Sequence, residues 1–385
     1  MFDIQTFLSI TLRQRCTNRP EQFRPVFDLG GQTMYKSRLP RVTSQVLRGI
    51  AVASTIAATS LIALGAVASV ASAAPKITVA FSVGDTGDPF FQTMYLGAQA
   101  EAAKLGVNLN FQGNPATYSP ATQLPYLDQI LAQKPSALVV APTDTKALES
   151  VIGEFVKDKI PVLNVDSGDA SQSNIVSWIT GNNLQGGQQA ATGLATAMGY
   201  KSSGYYNIVI GVSSLTTSTD AARLQGFKTE IAKSYPKMHV LDVFQSQSIS
   251  ATSTSDFNDV LASHPGKPGT KGGVSGIFAI DGTNATGAAA ALAGHRLVGK
   301  VKLIGYDAYA TNVAQIYNAK SNKTGAFTAL IAQQPYLEGQ LAVQYAVQAV
   351  KSSTKGIPHL DTIPNILLTG SSSKTTLTKY TYQAS

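Results

Sequence analysis

The chain has 385 residues, 44% of them hydrophobic and only 14% charged, so it is long enough for two domains and too apolar for general disorder. Its formal charge of +8 is concentrated near the N-terminus, because residues 1–73 hold eight of the 30 basic residues and three of the 22 acidic ones. The remaining chain carries 22 basic and 19 acidic residues, and so small an excess argues against a nucleic-acid partner.

Segment 34–73 has the order of features that is typical of a secretory signal peptide. Four basic residues between positions 36 and 48 precede an uncharged run over 49–70, and Ala71-Ser72-Ala73 follows as a cleavage site. A membrane anchor is the alternative, because the run is long enough to span a bilayer, although its Ala, Ser and Thr content makes it weakly apolar. We expect cleavage near Ala73.

Residues 1–33 stand in front of this signal peptide, and Met34 would be a conventional start. We therefore expect segment 1–33 to be a mis-called or unstructured extension. The single cysteine, Cys16, lies within it. The mature chain is thus predicted to lack disulfide and thiolate chemistry, and to lack a lipid-bearing cysteine at the cleavage site.

From Lys76 onward, apolar β-rich runs alternate with amphipathic helical segments, which indicates parallel sheets with crossover helices. The first half is predicted to hold strands at 77–83, 107–111, 137–141, 161–165 and 175–180, and helices at 91–105, 123–133 and 145–157. The pattern then repeats, with strands at 206–212, 239–244, 276–279 and 301–306, and helices at 190–198, 220–234, 254–263 and 285–293. The repeated pattern predicts two similar α/β lobes. The segment after Gly370 is predicted to be an exposed, partly mobile tail.

Ligands of open α/β sheets bind beyond the carboxyl ends of the strands, so two facing lobes would share one cleft. The aspartates that follow predicted strands are Asp88, Asp166, Asp281 and Asp307. Carboxylates accept strong hydrogen bonds from paired hydroxyls, whereas an ordinary loop aspartate caps a helix or turn. Asp88 is the best placed of the four for capping, since it precedes Pro89. Phe90 and Phe91 would either stack on a ligand's apolar face or pack at the helix start.

Nine segments, in order along the mature chain, resemble those of ribose-type periplasmic sugar-binding proteins of ABC importers. They are Asp88-Pro89-Phe90-Phe91, Gly97-Ala98, Ala141-Pro142-Thr143-Asp144, Ile160-Pro161-Val162 with Val165-Asp166, Gly181-Asn182-Asn183, Arg223 with Gly226-Phe227, Phe278-Ala279-Ile280-Asp281, Ile304-Gly305-Tyr306-Asp307, and Ile331-Ala332-Gln333-Gln334-Pro335.

The resemblance implies a type I periplasmic binding fold, in which two doubly wound parallel-sheet lobes are joined by a three-segment hinge. On this basis the hinges fall near Gly181-Asn182, Gln333-Gln334 and Ile363–Asn365. The N-terminal lobe would comprise 74–181 plus 334–363, and the C-terminal lobe 182–333 plus 364–385. The permease of an ABC importer is the implied partner.

The same resemblance suggests which residues touch the ligand. Asp166, Asp281 and Asp307 match ligand-contacting positions, and Gln333 matches a hinge position whose amide both donates and accepts. Arg223 matches the second, more structural arginine of its motif, so its ligand role stays open. Ser167 stands where ribose-type chains have a second contacting arginine, which predicts a pocket more acidic than a ribose site.

Other classes find little support in the sequence. The four histidines are scattered, and the motifs of zinc proteases, P-loop proteins, serine hydrolases and dinucleotide-binding proteins are absent. We therefore expect no catalytic, metal or cofactor site, and interpret the chain as a monomeric periplasmic protein that binds a sugar or sugar alcohol. The alternative is an autoinducer or chemoreceptor ligand-binding protein of the same fold, with a chemoreceptor as a further partner.

Overall fold

The structure is a computed structural model that describes residues 76–169, 171–321, 324–351 and 353–383. The predicted extension at 1–33, the predicted signal peptide at 34–73 and Cys16 lie outside the described residues. Within them, no helix is both long and apolar enough to cross a lipid bilayer.

The first lobe is built on a six-stranded parallel sheet with the spatial order β2-β1-β3-β4-β5-β11. Its strands are β1 Thr78–Asp85, β2 Asn108–Asn114, β3 Ala137–Val140, β4 Val162–Val165, β5 Ser177–Gly181 and β11 Leu360–Ile363. The helices packed on it are α1 Pro89–Leu105, α2 Pro120–Gln133, α3 Glu149–Lys157 and α9 Pro335–Val350. Because helices cover both faces, β3 and β4 are buried at every position.

The second lobe repeats this architecture, with the order β7-β6-β8-β9-β10-β12. Its strands are β6 Tyr206–Val212, β7 Met238–Gln245, β8 Val274–Ala279, β9 Lys302–Tyr306, β10 Phe327–Ala332 and β12 Ile366–Thr369, which alone pairs antiparallel. Its helices are α4 Asn183–Met198, α5 Ser218–Ser234, α6 Ser250–Ser263, α7 Gly282–Gly294, α8 Ala310–Ser321 and α10 Lys374–Tyr380. The predicted fold class is confirmed.

The chain crosses between the lobes at three places: after β5, after β10, and between β11 and β12. These crossings are hydrogen-bonded to one another. The Asn182 N–H donates to the Ile363 carbonyl at 3.0 Å, and the Asn365 side chain donates to the Asn182 carbonyl at 2.8 Å. The Gln334 side chain donates to the Pro364 carbonyl at 2.9 Å. The hinge is therefore a small connected unit.

Helix pairs in both lobes approach closely through glycine. A Cβ on Gly97 of α1 would lie 1.9 Å from the Tyr336 carbonyl oxygen of α9, and a Cβ on Gly339 of α9 would lie 2.1 Å from the Met94 carbonyl oxygen. Helices α4 and α5 repeat the arrangement, with Gly187 against Arg223 and Gly226 against Leu184. In each lobe, a helix that leaves the hinge is thus locked to a helix beside the cleft.

The segment after Gly370 differs from its sequence expectation. It contains α10, and Tyr382 beyond that helix is only 4% exposed. The Tyr382 N–H donates to the Ala308 carbonyl at 2.8 Å, and the Gln383 N–H donates to the Thr93 hydroxyl of the first lobe at 2.8 Å. The prediction of an exposed tail is therefore wrong for Tyr382, because its ring packs between the lobes.

Candidate ligand-binding cleft

The carboxyl ends of both sheets face one cavity with a volume of about 60 Å³. All eight residues singled out in the sequence line it: Asp88, Phe90, Phe91, Asp166, Arg223, Asp281, Asp307 and Gln333. The lining also includes residues that sequence reasoning did not select: Tyr118, Ser213, Thr217, Thr219, Asp220, Ser248, Thr283 and Tyr309. Because typical ligand pockets exceed about 300 Å³, a small molecule can enter only if the walls separate.

The first lobe contributes the aromatic wall. Asp88 caps α1, accepting a hydrogen bond from the Phe90 N–H at 2.7 Å, and Pro89 occupies the first turn, where no N–H is needed. Phe90 and Phe91 follow with their rings 5.2 Å apart, edge to face. The Phe91 ring also stacks on Tyr118 at 6.2 Å. The phenylalanines therefore both pack at the helix start and face the cavity.

Asp88 also connects the two lobes. The Tyr309 hydroxyl of the second lobe lies 2.6 Å from each carboxylate oxygen of Asp88. Burial raises the pKa of Asp88 to about 7, although the hydrogen bonds from Tyr309 and the Phe90 N–H oppose the shift. This contact holds the walls together, and a ligand reaching Asp88 would have to replace it.

Asp166 and Asp307 occupy equivalent positions in the two lobes. Asp166 follows β4 with φ 57° and Asp307 follows β9 with φ 65°, a left-handed backbone that Asp adopts more readily than most residues. The Asp166 N–H donates to Ile179 of the next strand, and the Asp307 N–H to Ile331, both at 2.8 Å. Each strand thus ends in a turn that presents a carboxylate to the cavity.

The Asp307 carboxylate is held by three donors. They are the Gly282 N–H at 3.0 Å, the Gln333 amide at 2.8 Å and the Tyr382 hydroxyl at 3.2 Å. Burial raises the pKa of Asp307, while nearby Arg223 lowers it. The amide oxygen of Gln333 is buried, has no hydrogen-bond partner among the described residues, and faces Gly181 of the hinge.

Asp281 is the most fully satisfied carboxylate of the site. It caps α7, accepting from the Asn284 N–H at 2.9 Å and from the Thr283 hydroxyl at 2.6 Å. Its other oxygen accepts from the Asn284 amide at 2.6 Å and the Ser213 hydroxyl at 2.9 Å. Four donors occupy nearly all the acceptor capacity of a carboxylate. Asp281, like Asp88, therefore serves as a helix cap, the alternative role given above for an aspartate that follows a strand.

Arg223 points its guanidinium at protein groups while lining the cavity. Its Nε donates to the Asn183 side chain at 2.8 Å, and its Nη1 donates to the Ile280 carbonyl at 3.0 Å. The guanidinium carbon lies 4.0 Å from the centre of the Tyr306 ring. These contacts fit a structural role, and the ligand role of Arg223 stays a prediction.

Asp220 and Tyr309 were the main omissions of the sequence reasoning. Asp220 accepts from the Ser213 and Ser214 N–H groups at 2.9 and 3.1 Å, and it lies 3.7 Å from Arg223. Burial and nearby Asp281 raise its pKa, while Arg223 lowers it. Asp220 stands three residues before Arg223 on one helix face, and this spacing could have indicated that it belongs to the site. No local pattern in the sequence links Tyr309 to Asp88.

Two α/β lobes with a shared aromatic and acidic cleft at their hinge define the class of two-lobed solute-binding proteins. In the described ranges, no group of three or more His, Cys, Asp and Glu side chains is arranged to hold a metal ion. The cleft consists of hydrogen-bonding groups and aromatic planes, which suit recognition of a small polar molecule.

Sequence comparison gives the family. The model of the periplasmic binding protein domain matches residues 79–354, and the chain belongs to this family. The ribose import binding protein of Haemophilus influenzae is 31% identical over 82% of this chain and 94% of that protein. Its counterpart from Salmonella typhimurium is 30% identical over 76% of this chain and 90% of that protein.

Solved structures agree with this assignment. An ABC transporter solute-binding protein from Agrobacterium vitis, bound to α-D-tagatopyranose, has a TM-score of 0.73 and 27% identity, covering 80% of this chain and 100% of its own. A carbohydrate transporter solute-binding protein from Agrobacterium radiobacter, in complex with D-arabinose, has a TM-score of 0.72 and 27% identity, covering 80% and 99%.

Proposed function

We propose that this protein captures a sugar or sugar alcohol in the cleft and delivers it to an ABC importer. The observation that carries the proposal is the convergence of all eight selected residues on one cavity between the lobes. Aromatic planes suit the C–H faces of a sugar, and carboxylates and amides suit its hydroxyls. The relatives named for ribose, tagatose and arabinose support this ligand class.

Binding would work by hinge closure between a lobe of 74–181 plus 334–363 and a lobe of 182–333 plus 364–385. Phe90, Phe91, Asp88 and Asp166 would contact the ligand from the first lobe. From the second lobe and the hinge the contacts would be Arg223, Asp281, Asp307 and Gln333. A ligand that touches both walls favours the closed form, because it gains contacts only there.

The remaining parts of the proposal concern export and assembly. A signal peptide cleaved near Ala73 would release a monomeric, non-catalytic protein into the periplasm, where the importer permease, and in some settings a chemoreceptor, would be its partner. Mass spectrometry of the periplasmic fraction should find an N-terminus near residue 74. An intact N-terminus or a membrane-bound product would contradict this part.

The ligand class is tested by thermal unfolding of the mature chain with a panel of pentoses, hexoses and sugar alcohols. A ligand at a hundred times its Kd should raise the stability by about 2.7 kcal/mol, because it binds only the folded state. The compound should be recovered chemically unchanged. If only amino acids, polyamines or autoinducer-type furanones raise the melting temperature, the sugar assignment is wrong.

A further inference from the structure

The cavity lining holds more acidic than basic groups. Five carboxyl groups line it, from Asp88, Asp166, Asp220, Asp281 and Asp307, and Arg223 is the guanidinium among them. With all five ionised, these groups would carry a formal charge of −4. A neutral sugar supplies no counter-charge, and removing carboxylates from water is costly unless they are paired.

The cavity also differs from one carboxylate to the next in how many hydrogen-bond acceptors the protein itself fills. The protein fills the acceptors of Asp281 with four donors, but the carboxylate of Asp166 accepts a side-chain bond from its neighbour Ser167 alone, at 3.2 Å. No basic nitrogen lies within 4.0 Å of Asp166 among the described residues, although Arg223 is near enough to lower the pKa of Asp166. Asp166 therefore keeps acceptor capacity at the cavity that a ligand rich in donors would fill.

We propose that the preferred ligand is an aminated sugar, whose ammonium group lies against Asp166 while its hydroxyls meet the remaining cleft groups. An ammonium carries three N–H donors and no acceptor, so it meets both the charge and the hydrogen-bond imbalance. The proposal rests on the proposed function, since it specifies which sugars the same cleft selects.

The titration state of the cleft supports this assignment. Burial raises the pKa values of Asp88, Asp166, Asp220 and Asp307 in the protein without ligand. Tyr118 and Tyr309 also line the cavity, and burial raises the pKa of each, so they stay neutral. A bound ammonium would lower the carboxyl pKa values. Binding should therefore release protons, whereas a neutral sugar has no such effect.

The test is calorimetry of the mature protein at about pH 6.5, where amino groups are charged. Aldoses, starting with glucose and galactose, are compared with their 2-amino-2-deoxy and 6-amino-6-deoxy forms and with the neutral N-acetyl derivatives. At least one aminated sugar should bind roughly tenfold or more tightly than both its parent and its N-acetyl form. Titrations in two buffers of different ionisation enthalpy should show proton release for that ligand.

Substitutions then locate the ammonium. Asp166→Asn introduces a residue that tolerates the left-handed backbone at this position. The variant should bind the aminated sugar about tenfold or more weakly than the wild type does, while its affinity for the parent sugar should change about threefold or less. Asp128→Asn, on an exposed part of α2, is the control and should change neither. Should Asp166→Asn fail to fold, Asp88→Asn provides the second variant, with a smaller loss of the same selectivity.

The outcomes separate the two proposals. If neutral sugars bind as well as or better than every aminated form, the charge argument is overturned while sugar binding stands. Equal losses for charged and neutral ligands in Asp166→Asn would also overturn it. If no sugar of either kind binds, the proposed function itself fails.

Discussion

Asp307 offers a way to separate the contribution of a carboxylate from that of its backbone conformation. Asp307→Asn keeps a residue that tolerates φ 65°, but it turns one acceptor oxygen into an NH₂ group. Since both oxygens face donors, at least one buried donor loses its partner, which costs about 1–3 kcal/mol of unfolding free energy. Asp307→Ala loses all three hydrogen bonds and adds about 1–2 kcal/mol for the left-handed backbone.

Urea denaturation of the unliganded protein measures both costs, and Asp128→Asn on the surface serves as the control. The alanine variant should be less stable than the asparagine variant by about 1–2 kcal/mol or more, and both should bind ligand about tenfold to a hundredfold more weakly. Equal stabilities of the two variants would refute the backbone argument. Wild-type stability of both would mean that the three hydrogen bonds contribute nothing.

Three further predictions follow from the cleft and the tail. The pKa of Asp88, raised to about 7, means that its contribution to unliganded stability is complete below about pH 3.8 and is lost as the pH rises through 7. Asp88 alone should contribute a loss on the order of 2–4 kcal/mol to thermal unfolding over that range, and Asp88→Asn should reduce the wild-type loss by about that amount. Thr93→Val removes the reciprocal hydrogen bonds between Thr93 of the first lobe and Gln383 of the C-terminal segment. X-ray scattering of the unliganded variant should therefore show a larger radius of gyration, and an unchanged radius would contradict the role of this segment in holding the lobes together. Gly226→Ala should lower the unfolding free energy by several kcal/mol, because its Cβ would lie 2.0 Å from the Leu184 carbonyl oxygen; a stability loss below about 1 kcal/mol would count against the close helix contact.

The sequence predicted nine of the twelve strands of the described residues, because helices bury both faces of the sheets and leave continuous apolar runs, but it did not predict β10, β11 or β12. The sequence also predicted that the selected residues would line one cavity, because a parallel sheet places the carboxyl ends of its strands at one edge. Helix α4 was predicted to begin at residue 190 but begins at Asn183. Its Gly186-Gly187 pair has low helix propensity, and tertiary packing against α5 outweighs that local preference.

What the sequence could not predict were contacts between distant positions. Tyr309 meets Asp88 across 221 residues, and Tyr382 meets Asp307 across 75. Neither tyrosine stands in a pattern that distinguishes it from an ordinary surface or core residue. Tyr382 in particular follows a run of Ser, Thr and Lys, whose composition indicates solvent exposure, and only the assembled lobes show its burial.

The glycine-locked helix pairs restrict how this protein can acquire a new specificity. Because the backbones of α1 and α9, and of α4 and α5, leave no room for a Cβ between them, neither helix of a pair can slide without moving its partner. A helix can therefore shift away from the cleft for a larger ligand only together with its partner. Exchange of side chains at the strand ends and helix starts is the less disruptive route to a new specificity, so related proteins with different ligands should share this backbone frame and differ at positions such as Asp88, Ser167 and Ser248.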